Sequence, residues 1–195
     1  MKTSNVTPPL MTVDKLSLTF GGVQAIADLS LQVWPSEVLA VIGPNGAGKT
    51  SLLNAVTRVF DPSGGQIHFK GQDLIQMQRH QIATLGIART FQNIELFETA
   101  TVLDNLLLGR HRFFQGHWWQ QVLRTPALTQ LEEAAYAEVE KIIDFLDLTP
   151  WRHAPIAGLP YGVRKVVELG RALCAKPELL FLDEPASGLN PEETR

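Results

Sequence analysis

Residues 40–51, AVIGPNGAGKTS, constrain the fold of this chain more than any other segment. The apolar run at 38–42 predicts a strand buried on both faces of a parallel sheet. The next residues, 43–50, match the pattern G-x-x-x-x-G-K-[ST] at each fixed position. Average residue usage gives such a match by accident in about one chain in a hundred of this length. The segment therefore predicts a strand, a phosphate-binding loop and a helix that begins at Lys49.

The residue types in this loop suit the binding of a phosphate. Glycine permits backbone angles that other residues avoid, so successive N–H groups can surround an anion at the positive end of a helix. We expect Lys49 to bridge the β- and γ-phosphates and Thr50 to offer its hydroxyl to Mg²⁺. Phe20, at the end of an upstream strand, is a candidate to stack on adenine or is an ordinary core residue. The predicted ATP-binding loop residues are Gly43, Pro44, Asn45, Gly46, Ala47, Gly48, Lys49, Thr50 and Ser51.

Composition limits the classes of protein to which the chain can belong. A net charge of −3 and a pI near 5.9 do not favour a nucleic-acid partner bound through bulk positive charge. The single cysteine, Cys174, excludes an internal disulfide and fits a small buried residue in a reducing compartment. No apolar run approaches the roughly 18 residues of a membrane span, and residues 1–9 lack a signal-peptide pattern. We therefore expect a cytoplasmic chain.

Strand and helix patterns alternate along the rest of the sequence. Leu16, Leu18 and Phe20 alternate with polar residues before a Gly-Gly turn, which predicts an antiparallel strand pair. Thr101 is the expected N-cap of a helix with Asp104 in its first turn. The predicted elements are a flexible tail at 1–9, the strand pair within 10–33, helices at 49–59, 74–85, 101–111, 128–146 and from 162, and strands at 66–70, 87–91 and 179–182.

Residues 105–131 contain no acidic side chain, and arginines alternate there with Phe113, Phe114, Trp118 and Trp119. A cationic and aromatic segment of this kind fits contact with a membrane protein or a lipid surface. The same aromatic residues also fit the small core of a helical subdomain. Composition leaves both interpretations open.

Polar side chains follow two of the predicted strands. Asp183 and Glu184 follow the run at 179–182, and Gln92 follows the strand at 87–91. Ligands of open α/β sheets bind at the carboxyl ends of the strands. We expect Asp183 to hold the Mg²⁺ shell and Glu184 to polarise a water molecule. The amide of Gln92 is a candidate to ligate Mg²⁺ and to order the attacking water.

Together the loop, Gln92, the LPYG segment at 159–162 and residues 179–184 resemble the nucleotide-binding subunit of an ABC transporter. ARTFQNIELF at 88–97, the insertion near 109–130 and DEPASGLNP at 183–191 are similar to the branched-chain amino-acid importer branch. The resemblance implies an α/β fold, with a P-loop NTPase core of mixed, mainly parallel sheet and helices on both faces. An N-terminal antiparallel β subdomain and an inserted α-helical subdomain complete it. The implied division places the core and β subdomain at 10–91 and 176–195, and the Q-loop, helical subdomain and signature helix at 92–175.

The resemblance also implies partners and site roles. Two nucleotide-binding subunits, identical or different, would pair head to tail on the inner face of the membrane, with transmembrane permease subunits and indirectly a periplasmic or extracellular solute-binding protein. ATP would lie between the loop of one subunit and the signature residues of the other. The implied catalytic residues are Glu184, Lys49 and Gln92; the Mg²⁺ ligands are Thr50, Gln92 and Asp183; and the signature contacts in trans are Tyr161, Gly162 and Val163.

Several positions depart from the family pattern. The usual signature LSGGQ is LPYGV at 159–163, which lacks the serine hydroxyl and the N–H of Pro160. Asn190 stands where many relatives have aspartate, and no histidine follows Asp183 to sense the γ-phosphate. The chain therefore resembles a C-terminally truncated member. We expect weak nucleotide binding and poor hydrolysis by this chain alone.

Three other functions stay open at this point. An ABC-type ATPase without a transport channel would usually show tandem cassettes or long coiled-coil insertions. A P-loop kinase for a small molecule would need a lid with arginines and would lack Gln92 and the signature helix. A nucleotide-gated interaction module would bind ATP without hydrolysing it.

Overall fold

The computed structural model describes residues 8–90, 94–113 and 126–184. The chain divides into two compact units, Met1–Leu85 and Gly86–Arg195. Unit 1 contains the phosphate loop, and unit 2 contains Asp183 and Glu184. The division of the chain into a core and a helical subdomain that the sequence implies stays a prediction.

Unit 1 is built on an antiparallel sheet. Strands β1 (Met11–Phe20) and β2 (Val23–Val33) pair from Met11 opposite Val33 to Phe20 opposite Val23, which confirms the predicted strand pair. Strand β3 (Gly64–Phe69) pairs with the other edge of β1, and the short β4 (Gln72–Asp73) pairs with β3. The strand order is therefore β2-β1-β3-β4. Apolar side chains alternate along β1 because successive residues point to opposite faces of a sheet, and Leu16 and Leu18 are buried.

Two helices of unit 1 are shorter than the sequence predicts. Helix α1 (Lys49–Val56) buries Leu52, Ala55 and Val56 and ends before residue 59, since Arg58 takes a left-handed φ of 58°. Helix α2 (Arg79–Thr84) begins only after Gln78, whose side chain forms a capping box with Gln81. Residues 74–78 precede the helix and contain turns.

The prediction of a buried strand at 38–42 is wrong. The structure has no strand at these residues, and the side chains of Val38 and Ile42 are 97% and 92% exposed. A strand requires a neighbour that accepts and donates its backbone hydrogen bonds. No described strand pairs with 38–42. An apolar sequence run therefore does not suffice to make a strand.

Unit 2 contains a parallel pair of strands. Strand β5 (Ile87–Arg89) pairs with β6 (Leu179–Phe181), with Ile87 opposite Leu179 and Arg89 opposite Phe181. The predicted strands at 87–91 and 179–182 are therefore present over their first three residues. The side chains of β6 are only half-buried, contrary to the fully buried strand expected, because β5 is its single partner among the described strands.

Unit 2 also contains three helices that pack against one another: α3 (Val102–Gly109), α4 (Pro126–Phe145) and α5 (Tyr161–Cys174), of which α5 also contacts β5. The Thr101 hydroxyl accepts from the backbone N–H of Asp104, and the carboxylate of Asp104 accepts from the backbone N–H of Thr101, which confirms the predicted cap. The apolar spacing that predicts the helix at 128–146 matches α4. The three helices enclose a core of Val102, Leu106, Val139, Ile143, Leu148, Ile156, Leu159, Val167 and Cys174.

Some predictions concern residues outside the described ranges. These are Gln92, the aromatic residues Phe114, Trp118 and Trp119, and Asn190. Within the described residues, no helix combines the length and the apolar character needed to cross a bilayer.

Candidate functional site

Two of the three glycines in the phosphate loop, though not Gly43, have the left-handed backbone angles that the sequence pattern predicts. Gly46 and Gly48 have φ values of 83° and 89°, and Gly48 is the N-cap of α1. A Cβ atom on Gly48 would lie 2.6 Å from the carbonyl oxygen of Ala25 in β2. Only glycine combines that dihedral angle with that close approach. The loop is therefore held against β2, and its last residue leads directly into the helix.

The charges at the start of α1 favour an anion. The ammonium of Lys49 donates to the carbonyl oxygens of Gly43, at 2.8 Å, and Pro44, at 3.0 Å. The first turn of the helix contains no acidic residue, so its positive end is not neutralised there by a carboxylate. The N–H of Ala47 donates to the carbonyl of Pro44 at 3.1 Å and closes the turn around Asn45. Thr50 and Ser51 occupy the first turn of α1.

Phe20 lies at the end of β1 and remains 40% exposed. Its ring meets that of Phe60 edge to face, with centroids 4.8 Å apart and planes at 76°. This arrangement is a favourable aromatic pair. The role of Phe20 toward adenine stays a prediction.

Asp183 lies just past β6, and its carboxylate forms a buried ion pair. Arg89, the last residue of β5, donates from Nη2 to Oδ2 of Asp183 at 2.8 Å. The two side chains are 6% and 4% exposed. The backbone N–H of Asp183 also points to the hydroxyl of Thr90 at 3.4 Å. The parallel register of β5 and β6 brings these groups together from positions 94 residues apart.

Glu184 is half-buried and takes a left-handed φ of 48°, which is uncommon for a residue with a side chain. Asp183 is one of the residues that line a cavity of about 100 Å³. Both Lys165 and Glu168 of α5 contribute to its walls. The complete lining is Thr90, Lys165, Val166, Glu168, Leu169, Leu182 and Asp183.

The signature segment begins α5 one residue earlier than predicted, at Tyr161, with Pro160 as N-cap. Proline fits this place because its fixed φ of −55° precedes the helix without needing an N–H. Arg164 stabilises the preceding turn, since its Nε donates to the carbonyl of Leu159 at 3.0 Å and its Nη2 to that of Ala157 at 2.7 Å. The side chain of Tyr161 is 46% exposed, and Gly162 and Val163 are half-buried.

A family profile described as ABC transporter matches residues 26–187, which include both the phosphate loop and Asp183. The chain belongs to the ABC transporter family. This assignment confirms the family, the fold class and the ATPase activity that the sequence predicts, and it excludes the small-molecule kinase. Membrane permease partners are general to transporters of this family.

Two relatives that this chain resembles have names that refer to amino-acid transport. The chain is 36% identical over 187 residues to the high-affinity branched-chain amino acid transport ATP-binding protein LivG of Escherichia coli. It is 37% identical over 186 residues to the corresponding protein BraF of Pseudomonas aeruginosa. The alignments cover 96% and 95% of this chain, and 73% of each relative.

Solved ATP-binding cassettes of ABC transporters have the same fold. A nucleotide-free cassette superposes with a TM-score of 0.78 at 28% sequence identity, and a cassette in its ADP conformation with 0.79 at 29%. Each comparison covers 96% of this chain and 73% of the solved chain.

Thr50 in unit 1 and Asp183 in unit 2 each carry an oxygen donor of the kind that Mg²⁺ binds. The hydroxyl of Thr50 and the carboxylate of Asp183 are hard donors, which Mg²⁺ prefers while keeping several waters. No group of three or more His, Cys, Asp or Glu side chains within the described ranges is placed to hold a metal ion.

Sequence reasoning missed Arg89 as a member of the site. The sequence places Arg89 within a short apolar strand before Gln92. A charged side chain is seldom buried in such a strand without a partner, so this position indicated that Arg89 has an oppositely charged partner. The spacing alone gave no way to assign that partner, because Asp183 lies 94 residues away.

Proposed function

We propose that this chain is the ATP-binding and ATP-hydrolysing subunit that powers import of branched-chain or related amino acids. The names of LivG and BraF support the substrate class, at 36% and 37% identity over nearly the whole chain. The single observation that carries the proposal is the phosphate loop. Lys49 follows this loop as the first residue of α1, its ammonium contacts the loop carbonyl of Gly43, and the first turn of the helix contains no acidic residue.

We assign the nucleotide contacts to this chain's own groups. The ammonium of Lys49 exchanges its bonds to the loop carbonyls of Gly43 and Pro44 for bonds to phosphate oxygens. This exchange is favourable because a phosphate carries full negative charge, whereas a carbonyl oxygen carries only a partial one. The N–H groups at the N-terminus of α1 face the same anion, and Phe20 offers its exposed ring to the adenine.

The carboxylates have separate tasks in hydrolysis. Asp183, the hydroxyl of Thr50 and the amide of Gln92 would hold the Mg²⁺ ion. Bound Mg²⁺ would supply positive charge to the phosphate oxygens. Glu184 accepts a hydrogen bond from the attacking water and directs its lone pair in line with the γ-phosphorus.

The proposed assembly contains two nucleotide-binding subunits. The ATP of the partner subunit contacts the N-terminus of α5 at Tyr161, Gly162 and Val163. This assignment is supported by the first turn of α5, which contains no acidic residue that would repel a phosphate. The pair docks on transmembrane permease subunits at the inner face of the membrane, and these receive the solute from a binding protein.

A titration with a fluorescent ATP analogue tests the loop. Lys49→Ala is expected to weaken binding at least about tenfold, a loss of about 1.4 kcal/mol, because the ammonium contact is removed. Lys70→Ala is the matched control, since Lys70 is exposed in the β3–β4 turn. Equal affinities for the two variants would contradict the proposed loop function.

Hydrolysis and transport need separate measurements. Glu184→Gln is expected to retain nucleotide binding and to lose phosphate release, and retained hydrolysis would remove Glu184 from the mechanism.

Gly162→Asp is expected to abolish ATP-driven pairing of subunits because it places negative charge against a phosphate. Uptake of labelled leucine by cells that carry the cognate permeases tests the substrate class, with an unrelated sugar as control.

A further inference from the structure

Two phenylalanine rings of unit 1 meet at the protein surface. Phe20 is the last residue of β1, and Phe60 lies in the turn that follows α1. Their planes cross at 76° with centroids 4.8 Å apart, which is the edge-to-face geometry that aromatic pairs favour. Phe20 is nevertheless 40% exposed and Phe60 38%. The contact therefore restrains both rings without burying them.

Hydrogen bonds of Ser63 fix the segment that carries Phe60 against β1. The N–H of Ser63 donates to the carbonyl of Ser17 at 2.8 Å, and its hydroxyl accepts from the N–H of Thr19 at 2.9 Å. Thr19 directly precedes Phe20, and Ser63 lies three residues after Phe60. The two rings therefore meet at a position that the neighbouring backbone sets, and the contact does not depend on the rings alone.

The aromatic pair and the phosphate loop adjoin the same strand of unit 1. A Cβ atom on Gly48 would lie 2.6 Å from the carbonyl oxygen of Ala25, so the loop approaches β2 at that residue. Phe20 pairs in the sheet with Val23. Val23 and Ala25 are two residues apart, which is about 7 Å along a strand. The backbone of Phe20 therefore lies close to the loop that would hold the phosphates of the same nucleotide.

An exposed aromatic side chain that has no neighbour changes rotamer freely and loses that freedom when it stacks on a base. The ordering of one such side chain weakens binding by about two- to tenfold, because the loss of entropy opposes association. The contact with Phe60 restricts the ring of Phe20 before a ligand arrives. A fixed ring would therefore bind a base more tightly than a free one.

We propose that Phe60 is a positioning residue that holds the ring of Phe20 ready to stack on the base of a purine nucleoside triphosphate. The inference rests on the function proposed above, because Phe60 acts through the base contact of Phe20. The base stacks on Phe20, and Phe60 fixes the orientation of that ring by its edge-to-face contact. A purine offers the ring a larger flat surface than a pyrimidine does, so the contact favours purines.

Isothermal titration calorimetry of the full chain in EDTA compares ATP with inorganic tripolyphosphate, which has no base. Phe60→Leu is expected to weaken ATP binding about two- to tenfold and to leave tripolyphosphate binding unchanged. Phe60→Tyr keeps the ring and is expected to restore the ATP affinity of the unchanged chain. A merely structural role would weaken both ligands alike. That result, an unchanged ATP affinity in Phe60→Leu, or an equal loss in Phe60→Tyr would overturn the proposal.

A double variant tests whether Phe60 acts through Phe20. Phe20→Leu is expected to weaken ATP binding at least as much as Phe60→Leu does, since it removes the stacking ring itself. Phe20→Leu combined with Phe60→Leu is expected to bind ATP like Phe20→Leu alone. A further loss in the double variant would overturn the proposal, because Phe60 would then contribute independently of Phe20.

Phe145→Leu is the matched control for the loss of an exposed phenylalanine. Phe145 is the last residue of α4 in unit 2 and is 75% exposed. The control is expected to leave the binding of ATP and of tripolyphosphate unchanged. A loss of ATP affinity equal to that of Phe60→Leu would overturn the proposal, since the effect would then not be specific to the aromatic pair.

A comparison of ATP with CTP on the unchanged chain does not depend on the folding of any variant. ATP is expected to bind at least about twofold more tightly, and equal affinities would overturn the proposal. Failure of the loop function would appear separately, as tripolyphosphate binding that Lys49→Ala leaves unchanged. Tripolyphosphate reports on the loop, and the base-dependent part of the ATP affinity reports on the aromatic pair, so the two failures are distinguishable.

Discussion

Substitution of the glycine that begins α1 separates two contributions to the shape of the phosphate loop. In Gly48→Ala the new Cβ atom meets a left-handed φ of 89° and lies 2.6 Å from the carbonyl oxygen of Ala25. In Gly46→Ala it meets nearly the same φ, 83°, but has no atom within 4 Å. The pair of variants therefore differs in the contact with β2 and hardly at all in backbone strain.

The structure sets the size of the expected effects. A left-handed conformation costs a residue with a side chain roughly 1–2 kcal/mol, so Gly46→Ala is expected to lower the free energy of unfolding by about that amount. Gly48→Ala has the same strain and in addition must move the loop away from β2. Overpacking typically costs another 1–3 kcal/mol, which gives a total of roughly 2–5 kcal/mol.

Urea unfolding of both variants without nucleotide, followed by circular dichroism, measures these losses free of any effect on binding. The unchanged chain and Gly64→Ala are the references, because Gly64 has no left-handed φ and a Cβ atom added there would meet no atom within 4 Å. Equal losses in Gly46→Ala and Gly48→Ala would refute the reasoning, since the contact with Ala25 would then contribute nothing.

Three further predictions concern unit 2. Asn105→Ala is expected to destabilise the chain by about 3 kcal/mol in urea unfolding, because the fully buried amide makes three hydrogen bonds, two of them to the backbone of Phe97; a loss below about 1 kcal/mol would contradict this. Burial raises the pKa of the Cys174 thiol to about 12, so alkylation by iodoacetamide at pH 8, followed by mass spectrometry, is expected only after unfolding; rapid labelling of the folded chain would refute it. Hydrogen bonds from Lys141 and Lys176 lower the pKa of Glu138 to about 2. The ionised carboxylate therefore stabilises the folded chain above the unfolded pKa near 4.5, and this stabilisation is lost as pH falls toward 2. Glu138→Gln is expected to remove this pH dependence from thermal melting, and identical profiles would contradict the assignment.

The local elements followed from the sequence where short-range rules decide them. The cap formed by Thr101 and Asp104 depends on groups three residues apart, and the loop at 43–50 depends on glycine angles and a lysine at fixed spacing. The antiparallel pair of β1 and β2 needs only a turn and an alternating pattern. In each case the interacting groups are neighbours along the chain.

The error at 38–42 has the opposite cause. The apolar run predicts a strand, but a strand is defined by a partner that comes from elsewhere in the chain. The early end of α1 and the late start of α2 are further errors at helix boundaries. Single residues decide these boundaries: Arg58 at the end of α1 and Gln78 at the start of α2.

The sequence by itself predicted the chemistry proposed for this protein: a lysine in a glycine loop for phosphate, and consecutive carboxylates at the end of a strand for metal and water. Short-range backbone geometry and residue type suffice for that. Tertiary structure alone decided that Asp183 has Arg89 as its counter-ion. Two strands from distant parts of the chain pair in parallel, and only their register determines which side chains share a buried and weakly screened space.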